Sequence, residues 1–324
     1  MFKPTLRRSA VALAALCLSS AALAQQNVTR IIVPFNAGGP IDVTARILAE
    51  GVQEELGTVI IENKPGAGGN IGSDHVAKAK PDGKTLGVAT LASHAVNPWI
   101  YPQIPFDADK DFAGVTLIAD VPNVLVMNTL HAEKLGINSV QDLIEYAKAN
   151  PNKLNYGSGG NGSGGHLAGE LFKKQAGIDI MHIPYNGGAP AQMALLSAEV
   201  DFTFDNLATA AANINSGKLK ALAVTTDQRS DLLPEVPTVK ESGLEDFSVS
   251  TWWGLVVPAG TPSEEIEKLN AAFTSAMNKE KARERFAGLL VNPTPSTAAE
   301  FDEYMRAERT RYKQIVEDAD ARVD

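Results

Sequence analysis

Residues 30–48 read RIIVPFNAGGPIDVTARIL. An apolar run over 30–34 ends at Pro34, a glycine pair follows, and Pro40 opens a stretch with Ile41, Ala45, Leu48, Val52 and Leu56 at helical spacing. This predicts a strand, a loop, and an amphipathic helix over 41–56, with Pro40 at the first helical position, where its missing N–H is no loss. Gly38 and Gly39 let the backbone come close to a ligand. The first amides of the helix have no acceptor within it and sit at the positive end of its dipole, so the turn is suited to an anion.

Outward from there the theme repeats. Strands are predicted at 59–62, 85–90, 153–157, 178–184, 200–204 and 220–225, and helices at 71–79, 140–149, 163–176, 190–198 and 207–216. Ser139 and Asp142 read as a capping box for one of these helices. Strands that alternate with helices imply parallel sheets with helical crossovers. Ligands of such sheets bind beyond the carboxyl ends of strands. A bulky strand over 248–257 carries Trp252 and Trp253, and Thr261 with Pro262 predicts an N-cap and first position for the charged helices that follow.

The chain has 324 residues, 44% hydrophobic and 21% charged, which is ordinary globular composition and enough for about two domains. Lys3, Arg7 and Arg8, an apolar run over 10–18, and Ala22-Leu23-Ala24 predict a secretory signal over residues 1–24. Its removal takes away Cys17, the only cysteine, so disulfides and thiol chemistry are excluded from the mature chain. The formal charge of −9 becomes −12 without those three basic residues, and no run of five basic residues occurs. Nucleic acid and anionic membranes are poor partners for such a chain. An anionic ligand is still allowed, because distant charges are screened.

Four loops between strands and helices stand out. The first is 35–40, with Asp42 in the following helical turn, where it either complements the dipole or meets a ligand amine. The second is 91–98, where Ser93 and Asn97 offer neutral hydrogen bonds and His94 a titratable ring. The third is the glycine cluster 158–166, in which Ser163 either caps the helix or faces a ligand. The fourth, 185–190, holds Tyr185 and Asn186, with Asp205 and Asn206 at another strand end. Gly157, Gly159 and Gly162 also match G-x-G-x-x-G, which leaves a nucleotide-dependent enzyme as an alternative, but the acidic residue expected about 20 positions beyond falls at Asp179, at a strand start. Serine-nucleophile, zinc-protease and Walker motifs do not occur, and the five histidines are scattered without metal-ligand spacing.

Taken together, these residues resemble the Bug-type periplasmic receptors of tripartite tricarboxylate transporters. The likeness is carried by 32–42, the 62–72 stretch ENKPGAGGNIG, 81–83, 93–98, 166–172, 182–185, 205–206, 217–224 and 236–238. The resemblance implies an α/β Venus-flytrap fold of the periplasmic-binding-protein kind, with parallel-rich sheets and two crossover strands near 122–127 and 248–256. Domain 1 comprises 25–124 and 250–324, and domain 2 comprises 125–249. It implies a non-enzymatic receptor without cofactor or metal, which takes a small carboxylate from the periplasm to a membrane permease. An exported sensor that presents its ligand to a signalling protein is the alternative. The implied ligand-binding residues are Phe35, Asn36, Ala37, Gly38, Gly39, Ser93 and Asn97 on one side. Ser158, Gly159, Asn161, Ser163 and Asp205 oppose them, with Tyr185 as a cover. Asn36 stands where the family usually has a small alanine, and Asn186 where a lysine often follows Pro-Tyr. The lost positive charge argues against a tricarboxylate.

Overall fold

The structure is a computed structural model that describes residues 28–245 and 247–322. The expected signal over 1–24, with Cys17, lies outside the described residues. The first part of the chain lays down β1 (Thr29–Val33), α1 (Pro40–Gly51), α2 (Gln53–Leu56), β2 (Val59–Asn63), α3 (Asn70–Ala77) and β3 (Thr85–Thr90). A π-type turn, Leu91–Val96, and the short α4 (Asn97–Ile100) follow, and then the 17-residue strand β4 (Phe112–Asn128). The middle holds α5 (Thr129–Leu135), α6 (Val140–Ala149), β5 (Asn155–Ser158), α7 (Gly164–Ala176), β6 (Met181–Pro184), α8 (Gly188–Leu196), β7 (Phe202–Asn206), α9 (Leu207–Asn215) and β8 (Leu219–Val224). β9 (Ser250–Pro258) then leads to α10 (Ser263–Asn278), α11 (Glu280–Gly288) and α12 (Ala298–Ala319).

The strands run in the order β2-β1-β3-β9-β4-β7-β5-β6, with β8 on β4. Pairing is parallel among β1, β2 and β3 and again among β5, β6 and β7, as strand–helix alternation predicts. The two long strands differ. β9 is antiparallel to β3 and β4, and β4 is antiparallel to β7 and β8, so the sheet is mixed. β4 belongs to both halves: its residues up to Pro122 pair with β9, and from Asn123 onward they pair with β7. Pro122, which has no N–H, sits where the partner changes. Thr225, fully buried, fastens the two crossings together: its Oγ1 accepts from Asn123 N at 3.1 Å and donates to Val249 O at 2.5 Å.

Strand alternation sends successive side chains to opposite faces, so the sheet has a core on each. Ile32 and Trp252 belong to one, Ile31, Val33 and Trp253 to the other. Both indoles are fully buried and both N–H groups are satisfied, Trp252 by Glu308 Oε2 and Trp253 by Thr44 Oγ1, each at 3.1 Å.

Three local expectations change. The helix over 41–56 breaks after Gly51, where a Cβ would press on Ala276 of α10 at 2.9 Å. Thr261 does not cap α10; its hydroxyl turns back to Pro258 O at 2.7 Å, and the helix starts at Ser263. Ser139 accepts from Asp142 N as a cap should, but the Asp142 side chain takes Asn138 N at 2.8 Å, one residue further back. Among the described residues no helix is long and apolar enough to cross a membrane.

α7 lies so close to β5 that a Cβ at Gly169 overlaps the ring of fully buried Tyr156. That ring stacks between His182 and Phe202, and its hydroxyl donates to Glu170 at 2.6 Å. Overpacking of this kind typically costs about 1–3 kcal/mol. Gly169→Ala is therefore expected to lower the thermal midpoint by several degrees, measured by calorimetry.

Candidate functional site

Between the two halves of the sheet lies a cleft of about 690 Å³, counting the part open to solvent. Its wall is made of chain segments that leave strand ends. From the first half come Phe35, Asn36 and Gly39 after β1, with Thr90, Leu91 and Ala92 after β3. From the second come Gly159, Ser163, Gly164 and Gly165 after β5, Gly187 and Gly188 after β6, and Asp205 and Asn206 at the end of β7. Asn123 and Thr251, at the two crossings, close the back. The starts of α1, α7, α8 and α9 thus all border one space, and so does the capped turn after β3. Gly39 and Gly187, the N-caps of α1 and α8, have no side chain to cover the first amides. Gly165 lets α7 come in tightly, since a Cβ there would lie 2.5 Å from Phe204 O.

The halves touch across this cleft. Asn36 N donates to Asn186 O at 3.2 Å, and Tyr101 hydrogen-bonds Asn161.

No lysine, arginine or histidine lines the cleft among the described residues, and its two acids differ sharply. Asp42 is buried, which works against its charge, but two hydrogen bonds from Arg46 and others from Gly38 N and Asn63 hold its carboxyl below the ordinary range. It serves the turn and the dipole. Asp205 has no cation beside it among the described residues. Burial pushes its carboxyl up to about 7, partly offset by Asn206 N, Gln192 and Thr209.

Such an arrangement is suited to an anion, which peptide dipoles can hold. The model of the tripartite tricarboxylate transporter family receptor matches residues 44–320. The chain belongs to that family. It is a family of periplasmic solute receptors rather than enzymes, so the nucleotide-enzyme alternative falls away. BugT of Bordetella pertussis is 36% identical over 296 residues, 91% of this chain and 90% of BugT. The solved R. palustris protein Rpa4515 with adipate is 33% identical, with a TM-score of 0.84 over 90% of this chain and 96% of that one. MatC of Rhodopseudomonas palustris with bound malate is 30% identical, with a TM-score of 0.82 over 89% and 98%.

Of the residues expected to touch ligand, Phe35, Asn36, Gly39, Gly159, Ser163 and Asp205 of this receptor lie on the cleft wall. Asn161 and Tyr185 instead line a neighbouring compartment with Asn186, Tyr101 and the 66–69 turn, and the Tyr185 hydroxyl donates to Glu199 at 3.1 Å. Ala37 and Gly38 do not border the cleft, and the Gly38 amide is used by Asp42 at 2.9 Å. Ser93, Asn97 and Ser158 do not border the cleft either, and the side chain of each is engaged by internal partners. Asn97 Nδ2 donates to Gly68 O at 3.0 Å and Asn70 Oδ1 at 2.7 Å, and Ser158 Oγ meets His182 Nε2 at 2.7 Å. Ser93 is held by Thr90 and His94. His94 lies behind the wall and is kept neutral by burial. Ser163 caps α7 by accepting from His166 N at 3.2 Å, and still borders the cleft. Thr90, Leu91, Ala92, Asn123 and Thr251 also border the cleft; the last four lie in segments that the sequence singled out, but none of the five was read as a contact. Only the Thr-x-x-Ser spacing of Thr90 and Ser93 signals a capped turn there.

Asp205 gives a pH prediction. Its folded pKa of about 7 is above the ordinary 3.8, so the folded state holds this proton more tightly and loses stability as pH rises from about 4 to about 7. Asp205→Asn removes the loss. The variant is expected to match the parent near pH 4 and to melt several degrees higher at pH 8, seen in thermal melts across that range.

Proposed function

We propose that this receptor is exported with removal of residues 1–24, captures a small mono- or dicarboxylate in the cleft, and delivers it to the permease subunits of a tripartite transporter. In this reading 25–124 with 250–324 form one lobe and 125–249 the other, and the lobes close on the ligand by bending at the adjacent crossings. The observation that carries the proposal is the meeting of four helix starts and one capped turn around a cleft without a cationic side chain. Peptide N–H groups from both lobes replace the water around one carboxylate, and closure desolvates it, so each hydrogen bond counts for more than in water. The adipate and malate held by relatives that match over most of the chain support the choice of ligand class. Phe35, Asn36, Gly39, Gly159, Ser163 and Asp205 are the proposed contacts, joined by the wall residues of the β3 turn.

A panel of mono-, di- and tricarboxylates screened by thermal shift is expected to raise the midpoint for at least one acid by several degrees. Ligand at 100 times its Kd adds about 2.7 kcal/mol. Silence across the panel from folded protein rejects the proposal. Gly39→Val is expected to abolish that shift while it leaves the unliganded midpoint nearly unchanged. Its backbone is extended (φ −80°, ψ 167°), and a Cβ meets nothing nearer than Ala189 N at 4.0 Å across the cleft.

A further inference from the structure

Behind the Thr90 part of the wall lies a closed run of polar atoms. Thr90 N donates to Ser93 Oγ and Ser93 N to Thr90 Oγ1, both at 3.3 Å. The two hydroxyl oxygens are 3.1 Å apart, and Ser93 Oγ is 2.9 Å from His94 Nδ1. All three residues are buried, with relative exposures of 2%, 0% and 1%. The imidazole packs against Phe106 and Phe112 at centroid distances of 6.1 and 4.5 Å, and its Nε2 has no hydrogen-bond partner among the described residues. Burial, assisted by the nearby Arg309 charge, lowers its pKa to about 3, so the ring is neutral and carries one N–H.

The position of that hydrogen decides the direction of the whole run. With hydrogen on Nε2, Ser93 must donate to Nδ1 and Thr90 must donate to Ser93. Thr90 then has only a lone pair left for the cleft, and a buried N–H is stranded among phenyl rings. With hydrogen on Nδ1, His94 donates to Ser93 and Ser93 donates to Thr90 Oγ1. Ser93 Oγ then accepts from Thr90 N and His94, Thr90 Oγ1 accepts from Ser93 N and Ser93 Oγ, and the only hydrogen left over is that of the Thr90 hydroxyl. What is stranded is a lone pair, and buried N–H donors are orphaned more rarely than acceptors. The second arrangement is favoured.

We infer that His94 is a positioning residue that, through Ser93, turns the Thr90 O–H toward the cleft as a donor for a ligand carboxylate. It rests on the carboxylate reading above and deepens it: a buried ring two residues removed from the ligand supplies the polarity that a cationic side chain supplies elsewhere. It also accounts for a histidine that neither titrates near neutral pH nor touches the cleft.

The test has two arms. In the intact protein labelled with ¹⁵N-histidine, and with the His94 signal assigned by its loss in His94→Asn, Nε2 is expected to give the shift of an unprotonated, pyridine-type nitrogen. A protonated Nε2 overturns the inference whether or not any acid binds. Adipate is the probe for the second arm. Thr90→Val and His94→Phe are each expected to weaken it about tenfold or more, the loss of one hydrogen bond to a charged group. His94→Asn, which keeps a donor toward Ser93, is expected to restore most of the affinity. His94→Phe in the Thr90→Val background is expected to cost nothing further. Equal losses for Phe and Asn, or full additivity, would mean that His94 acts only as packing. Failure of adipate to bind the parent bears on the carboxylate reading and leaves the tautomer measurement to decide this one.

Discussion

An anion inside a protein must be surrounded by something that replaces its water. In the proposed site the open ends of helices would meet the requirement. Each amide contributes only a partial charge, so one helix is too little, and the donors have to converge from several directions. A sheet whose strands feed helices at the same edge places those ends together. The glycines at Gly39, Gly164, Gly165, Gly187 and Gly188 keep side chains out of the way. Cluster and cleft follow from one geometrical rule applied twice, once in each half of the sheet.

The same requirement explains the treatment of charge. A lysine or arginine in the wall would hold an acid tightly but would also impose its own desolvation cost when the cleft is closed. Asp42 is bound to Arg46 and takes no part as a free charge. Asp205 is isolated and sits near its own midpoint at neutral pH. The wall of the cleft therefore carries little net charge.

Much of this was legible in the sequence. The β1 turn announced itself through Gly38, Gly39 and Pro40, and the strand and helix periods located most elements to within a few residues. Of β4 only the 122–127 crossing was expected, and that from the family resemblance; the residues before it were not read as strand, because Gly114 and Pro122 interrupt an apolar run whose continuity is tertiary, made by β9 on one side and β7 on the other. The loops that border the cleft were legible, but the partners of their side chains were not. Ser93, Asn97 and Ser158 have the residue type of ligand contacts and sit in the right loops. Their partners, His94, Asn70 and His182, come from burial and from chain segments brought together only by folding. Thr90 reads as the last residue of a strand, and only the cap it forms brings it to the wall.

The paired crossings have an evolutionary meaning. Residues 123–249 leave the first half of the sheet beside Pro122 and re-enter it at Ser250, and those two residues are register partners on neighbouring strands. Entry and exit therefore lie about one strand spacing, roughly 5 Å, apart. In that respect the second half is a long insertion into a hairpin: its sequence can drift, lengthen or be exchanged for that of another lineage while the parent sheet keeps its registration. New ligand preferences can then arise by replacing one jaw without redesigning the other.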